Sequence, residues 1–122
     1  MSSNTSIRGW IECDDEQVEQ IKTVVALHGG TPYAQGWSFP SAKASGSWLN
    51  FIFFGAATNQ DISNWLEPQL AEIAAITPKS PDEHVRGLFF VSSEAHGRSE
   101  WLLKDGHLQK TATTNKYNFL DA

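Results

Sequence analysis

The chain is poor in the residues that would give it a covalent framework or a charged coat of one sign. Of its 122 residues one is cysteine, Cys13, so no disulfide can form within the chain and nothing points to an oxidising compartment. Charged residues are few, at 19%, and only nine of them are cations. Those nine are scattered singly, without the basic face that neutralises phosphates, which argues against direct binding of nucleic acid. No apolar run reaches the roughly 18 residues of a membrane span. The longest candidate, Leu49 to Ala57, is strand-sized and contains Asn50 and Gly55. The opening Met1-Ser2-Ser3-Asn4-Thr5 has neither the basic start nor the apolar stretch of a signal peptide, so a cytoplasmic location is expected.

What is present describes one ordered domain over residues 1–122, with 111–122 as a C-terminal tail. Hydrophobic residues make up 40%, enough for a core without metal or disulfide support. The formal net charge is −5, which keeps a small domain soluble and also suits an encounter with a basic protein. Ser6 to Cys13 reads as a strand, with Asp14 or Asp15 as the cap of the helix behind it and Glu16 and Glu19 near its positive end. Val18, Ile21 and Val25 recur at helical spacing until Gly29-Gly30 stops them. Trp37 to Phe39 is a short edge strand halted by Pro40. Trp48 to Gly55 is a strand whose Phe51-Ile52-Phe53-Phe54 is apolar on both faces, the pattern of a central strand covered on both sides.

A second helix lies within Asp61 to Ile76, its stripe formed by Ile62, Trp65, Leu66, Leu70 and Ile73. Pro68 either falls in the first turn of that helix or kinks it. Val85 to Ser92 and Arg98 to Leu103 read as antiparallel strands, and Asp105-Gly106 marks a tight hairpin into a strand from His107 to Lys110. The order β-α-β-β-α-β-β-β predicts an α+β domain, a mostly antiparallel sheet with both helices packed on one face.

Chemistry is hard to find. The four histidines, His28, His84, His96 and His107, lie in separate segments without ligand spacing, so no metal is expected. There is no nucleophile elbow. Cys13 sits beside Asp14, whose carboxylate disfavours a thiolate, and reads as a small buried hydrophobe. Gly29-Gly30 follows a helix, whereas a phosphate cradle precedes one. No cofactor and no catalytic residues are assigned, and the chain reads as a binding protein, not an enzyme. The alternatives are a small-ligand-binding α+β domain, or an enzyme without a recognisable motif that uses Glu12 or Asp14 with a histidine.

Five tryptophans are several times ordinary usage. Trp65 lies on the helix stripe and reads as core, as do Trp10, Trp48 and Trp101 in their strands. Tyr33 and Trp37 fall in a loop rich in small residues, where two readings stay open: binding anchors, or a lid folded over the sheet.

Gly9-Trp10 with an acidic helix start behind it, Gly87-Leu88-Phe89-Phe90-Val91 after the second helix, and Leu103-Lys104-Asp105-Gly106-His107-Leu108 across the last hairpin carry a resemblance. In these motifs, and in element order over nearly its whole length, the chain resembles small α+β immunity proteins of bacterial polymorphic toxin and contact-dependent growth inhibition systems. The resemblance implies a cognate protein toxin, a basic nuclease domain, neutralised by occlusion of its active site. Nuclease sites are basic because they hold phosphates, so an acidic surface competes for them. On that implication Asp14, Asp15, Glu16 and Glu94 supply charge, and Tyr33 and Trp37 supply apolar anchors.

Overall fold

The computed structural model describes residues 4–29, 36–40, 49–59, 61–80, 82–95 and 97–113. Six strands and two helices follow in the order β1 (Thr5–Cys13), α1 (Asp15–Leu27), β2 (Trp37–Ser38), β3 (Asn50–Thr58), α2 (Leu66–Ala74), β4 (Arg86–Ser93), β5 (Gly97–Lys104) and β6 (His107–Ala112). The strands form one sheet ordered β2-β3-β1-β4-β5-β6, with every neighbouring pair antiparallel. The α+β class and the element order agree with the sequence pattern. Residues 111 and 112, expected in the tail, complete β6, and 114–122 lie outside the described residues.

Two connections cross the sheet, and each steps over one strand. The α1 connection joins β1 to β2 with β3 between them, and the α2 connection joins β3 to β4 with β1 between them. Such crossovers are right-handed. Because β1 and β3 run in opposite directions and the two steps go opposite ways, both helices land on the same face of the sheet. The other face receives neither.

Local chemistry sets the ends of these elements. Asp14 is the N-cap of α1: its carboxylate accepts a hydrogen bond from the Gln17 N–H at 2.7 Å, and its own N–H donates to Gln17 Oε1 at 2.9 Å. Such a cap contributes about 1 kcal/mol. Gln17 is buried and also donates to the Glu83 carbonyl at 2.6 Å, which ties the start of α1 to the segment before β4. A 3-10 turn at Ile62–Asn64 precedes α2, so Pro68 is the third residue of the helix, where its missing N–H breaks no bond. Asp105 and Gly106 have φ of 54° and 82°, the two positive values a tight hairpin turn requires.

The core fills the space between the sheet and the helices. Ile7 and Ile11 from β1, Ile52 from β3, Phe89 from β4 and Leu103 from β5 meet Ile21 of α1 and Leu66, Leu70 and Ile73 of α2, all fully buried. Gly9 interrupts this row in β1 because Phe89 lies over it. A β-carbon there would sit 2.3 Å from Phe89 Cδ1 and 2.7 Å from the Leu88 carbonyl oxygen. Gly9→Ala is therefore expected to cost about 2 kcal/mol through overpacking. Urea unfolding would read this as a lower midpoint at unchanged slope.

Candidate functional site

Strand alternation sends one side chain in two to the face without helices. On an antiparallel sheet with one solvated face, those side chains are ordinarily polar. Here they are not. Phe53, Trp10, Leu88 and Leu102 stand directly opposite one another in register, a single apolar row across four strands. Phe53 is 53% exposed and Phe51, two residues along the strand, is 45% exposed. Their rings stack on each other with centroids 6.4 Å apart. The double-sided apolar pattern of β3, expected to mean cover on both sides, thus has a different cause: one side packs on the helices and, among the described residues, the other faces solvent. Trp10, expected in the core, is half-buried on this open face.

Charge frames the row. The sequence holds three arginines, Arg8, Arg86 and Arg98, and strand parity puts all three on the open face, with Lys104 as a fourth cation. Two carboxylates, Glu12 and Glu100, alternate with them. Glu12 accepts a hydrogen bond from the Trp10 indole N–H at 2.9 Å and lies 3.6 Å from the Arg86 guanidinium. This pair fixes the orientation of the Trp10 ring. Arg8 donates to Ser6 Oγ at 3.5 Å. Trp10, Glu12, Arg86, Leu88, Leu102 and Lys104 line a depression of about 350 Å³ on β1, β4 and β5, toward the end of the sheet where β4 begins. A larger polar cleft of about 630 Å³ lies at the β4–β5 turn end of the sheet, where Thr58, Ser92, Glu94 and Arg98 line it.

The residues read from the sequence as a partner surface are not gathered into one. Asp14 is used in the helix cap. Asp15 accepts a hydrogen bond from Asn50 Nδ2 at 2.8 Å, and Glu16 is paired with Lys79 at 2.8 Å, which holds the Lys79 ammonium above its ordinary pKa. Glu94 accepts from Asn4 Nδ2 at 3.0 Å, at the opposite end of the nine-residue β1, so roughly 30 Å of strand separates it from Asp14. Trp37 is only 8% exposed, with its ring 4.8 Å from Phe54, 6.2 Å from Phe39 and 6.4 Å from Phe89. Trp37 is therefore packed into the core and not presented as an anchor, while 31–35 and 41–47 of the same loop lie outside the described residues. Tyr33 lies outside the described residues. Arg8, Trp10, Phe51, Phe53, Arg86, Leu88 and Leu102 were the residues missed. Their common signal is parity: each occupies the strand position alternate to the buried one.

Other reactive groups are accounted for locally. Cys13 is buried and its thiol is pushed up to about 12, first by burial and then by the Asp14 and Asp15 carboxylates. A thiol-specific disulfide reagent at pH 8 is expected to leave the folded protein unmodified and to titrate one thiol in denaturant. The folded thiol keeps its proton where the unfolded one ionises, so stability falls as pH rises between about 9 and about 12. Cys13→Ala should flatten that fall. His28 Nε2 lies 3.2 Å from Glu72 and links the end of α1 to α2. Among the described residues no three His, Cys, Asp or Glu side chains form a metal-binding group. No described helix is long and apolar enough to cross a membrane.

Fold and site together define a helix-backed antiparallel sheet that presents an apolar, arginine-framed face. No protein-family model, curated protein or solved structure matches the chain.

Proposed function

We propose that this chain is a protein-binding module that acts by covering a functional surface of its partner, and that the open face of the sheet is the surface it presents. The observation that carries the reading is the row Phe53-Trp10-Leu88-Leu102, an apolar stripe across four registered strands that neither described helix covers. Rows of this kind on a small domain mark interaction sites. Tryptophan, present in the row, and arginine, which frames it, are among the side chains most enriched where binding energy concentrates. Mixed signs favour a protein partner over a nucleic acid, because Glu12 and Glu100 sit where a phosphate chain would have to run.

In its particular form, drawn from the resemblance to immunity proteins, the partner is a bacterial nuclease toxin held inactive by occlusion. The test is co-expression with the nuclease domain of a polymorphic toxin from the same genome, scoring survival and co-purification at fixed stoichiometry. Survival with a stable complex supports the immunity reading. Death of the cells with no complex overturns it for that toxin, and failure against every toxin of the genome overturns it altogether.

A further inference from the structure

We propose that the open face takes an acidic segment of its partner, with carboxylates reaching Arg8, Arg86 and Arg98 while apolar side chains of the same segment lie along Trp10, Leu88 and Leu102. This rests on the reading of the face as the binding surface and adds the chemistry of what binds there.

The sign of the charge carries the inference. The chain has a formal net charge of −5, yet among the described residues the open face holds four cations against two carboxylates. The face is therefore positive on an otherwise negative body. An acidic segment is repelled by the rest of the molecule and drawn to this one side, which favours the correct approach over wrong ones. Arginine sharpens the preference, because its planar fork matches a carboxylate with two parallel hydrogen bonds. Such bonds run about 2.7–2.9 Å. The Arg86 to Glu12 contact is longer, at 3.6 Å, and the Arg86 side chain is 62% exposed. An incoming carboxylate can share that guanidinium without breaking a tight fork.

Geometry agrees with charge. The depression of about 350 Å³ has Trp10, Leu88 and Leu102 as its apolar floor and Arg86 and Lys104 beside them. It fits one apolar side chain flanked by acids. Across the sheet, Arg8 is opposite Phe90 and Arg98 is opposite Ser92, one and two rows beyond the apolar row. Residues two apart on one face of an extended segment fall on successive rows, so the order acid, apolar, acid at every second position meets Arg86, the apolar row and Arg8 in turn. A partner strand or loop that carries acids and apolar residues in turn on the same face, as pairs of each along the chain would place them, satisfies both sets at once. This segment is distinct from a nuclease's basic active site, which on this proposal the bound chain blocks by its bulk and not by competing for the same charges.

Three probes separate the outcomes, read by amide and indole NMR shifts on the intact protein at low and at physiological salt. They are a twelve-residue peptide alternating pairs of Asp with pairs of Leu, its Lys-Leu counterpart, and oligouridylate. The acidic peptide is expected to shift the Trp10 indole and the Leu88 and Leu102 amides, with at least tenfold higher affinity on this face than the basic peptide. The double variant Arg8→Glu/Arg86→Glu should abolish those shifts, and an unchanged amide spectrum elsewhere will show it folded. Equal or tighter binding of the basic peptide to the same residues overturns the acidic assignment and leaves the face as a binding surface. Preferential binding of oligouridylate there overturns it too and makes the partner a nucleic acid. If no probe perturbs the face, both the assignment and the face itself are rejected.

Discussion

Replacing Phe53 with threonine should weaken partner binding about 30-fold, roughly 2 kcal/mol, while changing folding stability by less than about 1 kcal/mol. The two effects separate because of where the ring sits. It is 53% exposed and its contacts are with the solvent side of the sheet, so little core volume is lost. Threonine, being β-branched, suits a strand as phenylalanine does, which leaves the cross-strand pair as the main loss. In a complex the same ring is expected to be desolvated against the partner, where truncation costs most. Calorimetric titration of wild type and variant against the purified partner, beside urea melts of each, would measure both. Unchanged affinity would remove the open face from the interface. A collapse of stability would mean that the ring supports the fold.

The converse holds for Trp37. Trp37→Ala should cost about 3–5 kcal/mol of stability, because a large ring leaves a cavity among Phe39, Phe54 and Phe89. For a domain of this size that is a drop of many degrees in Tm. At a temperature where the variant stays folded, partner affinity should be close to that of the wild type. Trp37→Phe should cost much less, since it keeps most of the volume. It also removes an indole N–H that is buried without a hydrogen-bond partner among the described residues. A variant of Trp37 that folds at full stability yet loses its partner would return this residue to the surface role first read from its loop.

Those two aromatics show how far the sequence could be read. Elements and their ends were legible because they depend on neighbours in the chain. Asp14 caps α1, Pro68 falls in the first turn of α2, and Asp105-Gly106 turns the last hairpin. The site was less legible because it depends on layers. Alternation along β1 and β3 separates two faces, but nothing local says that both helices cover the same one. The Phe51 and Phe53 side chains look like core from within their own strand. The topology, with two crossovers stepping opposite ways, is what leaves them outside. For Trp37 the obstacle was composition: a loop of small residues looks exposed until its backbone pairs with Phe54 in β3. The acids at the start of α1 were visible as a cluster, but their bonds to Gln17, Asn50 and Lys79 come from distant or buried groups.

Of the described strands β1 comes earliest in the chain, yet it is enclosed only once two later strands are in place. In the finished sheet β1 lies between β3 and β4, with Thr5 paired to Thr58 on one side and to Ser93 on the other. Until the segment up to Ser93 has left the ribosome, that strand has at least one bare edge. Pairings this distant in sequence make folding slow, and they leave a nascent chain open to wrong partners. The second edge of β1 therefore stays open over all the sequence between Cys13 and β4.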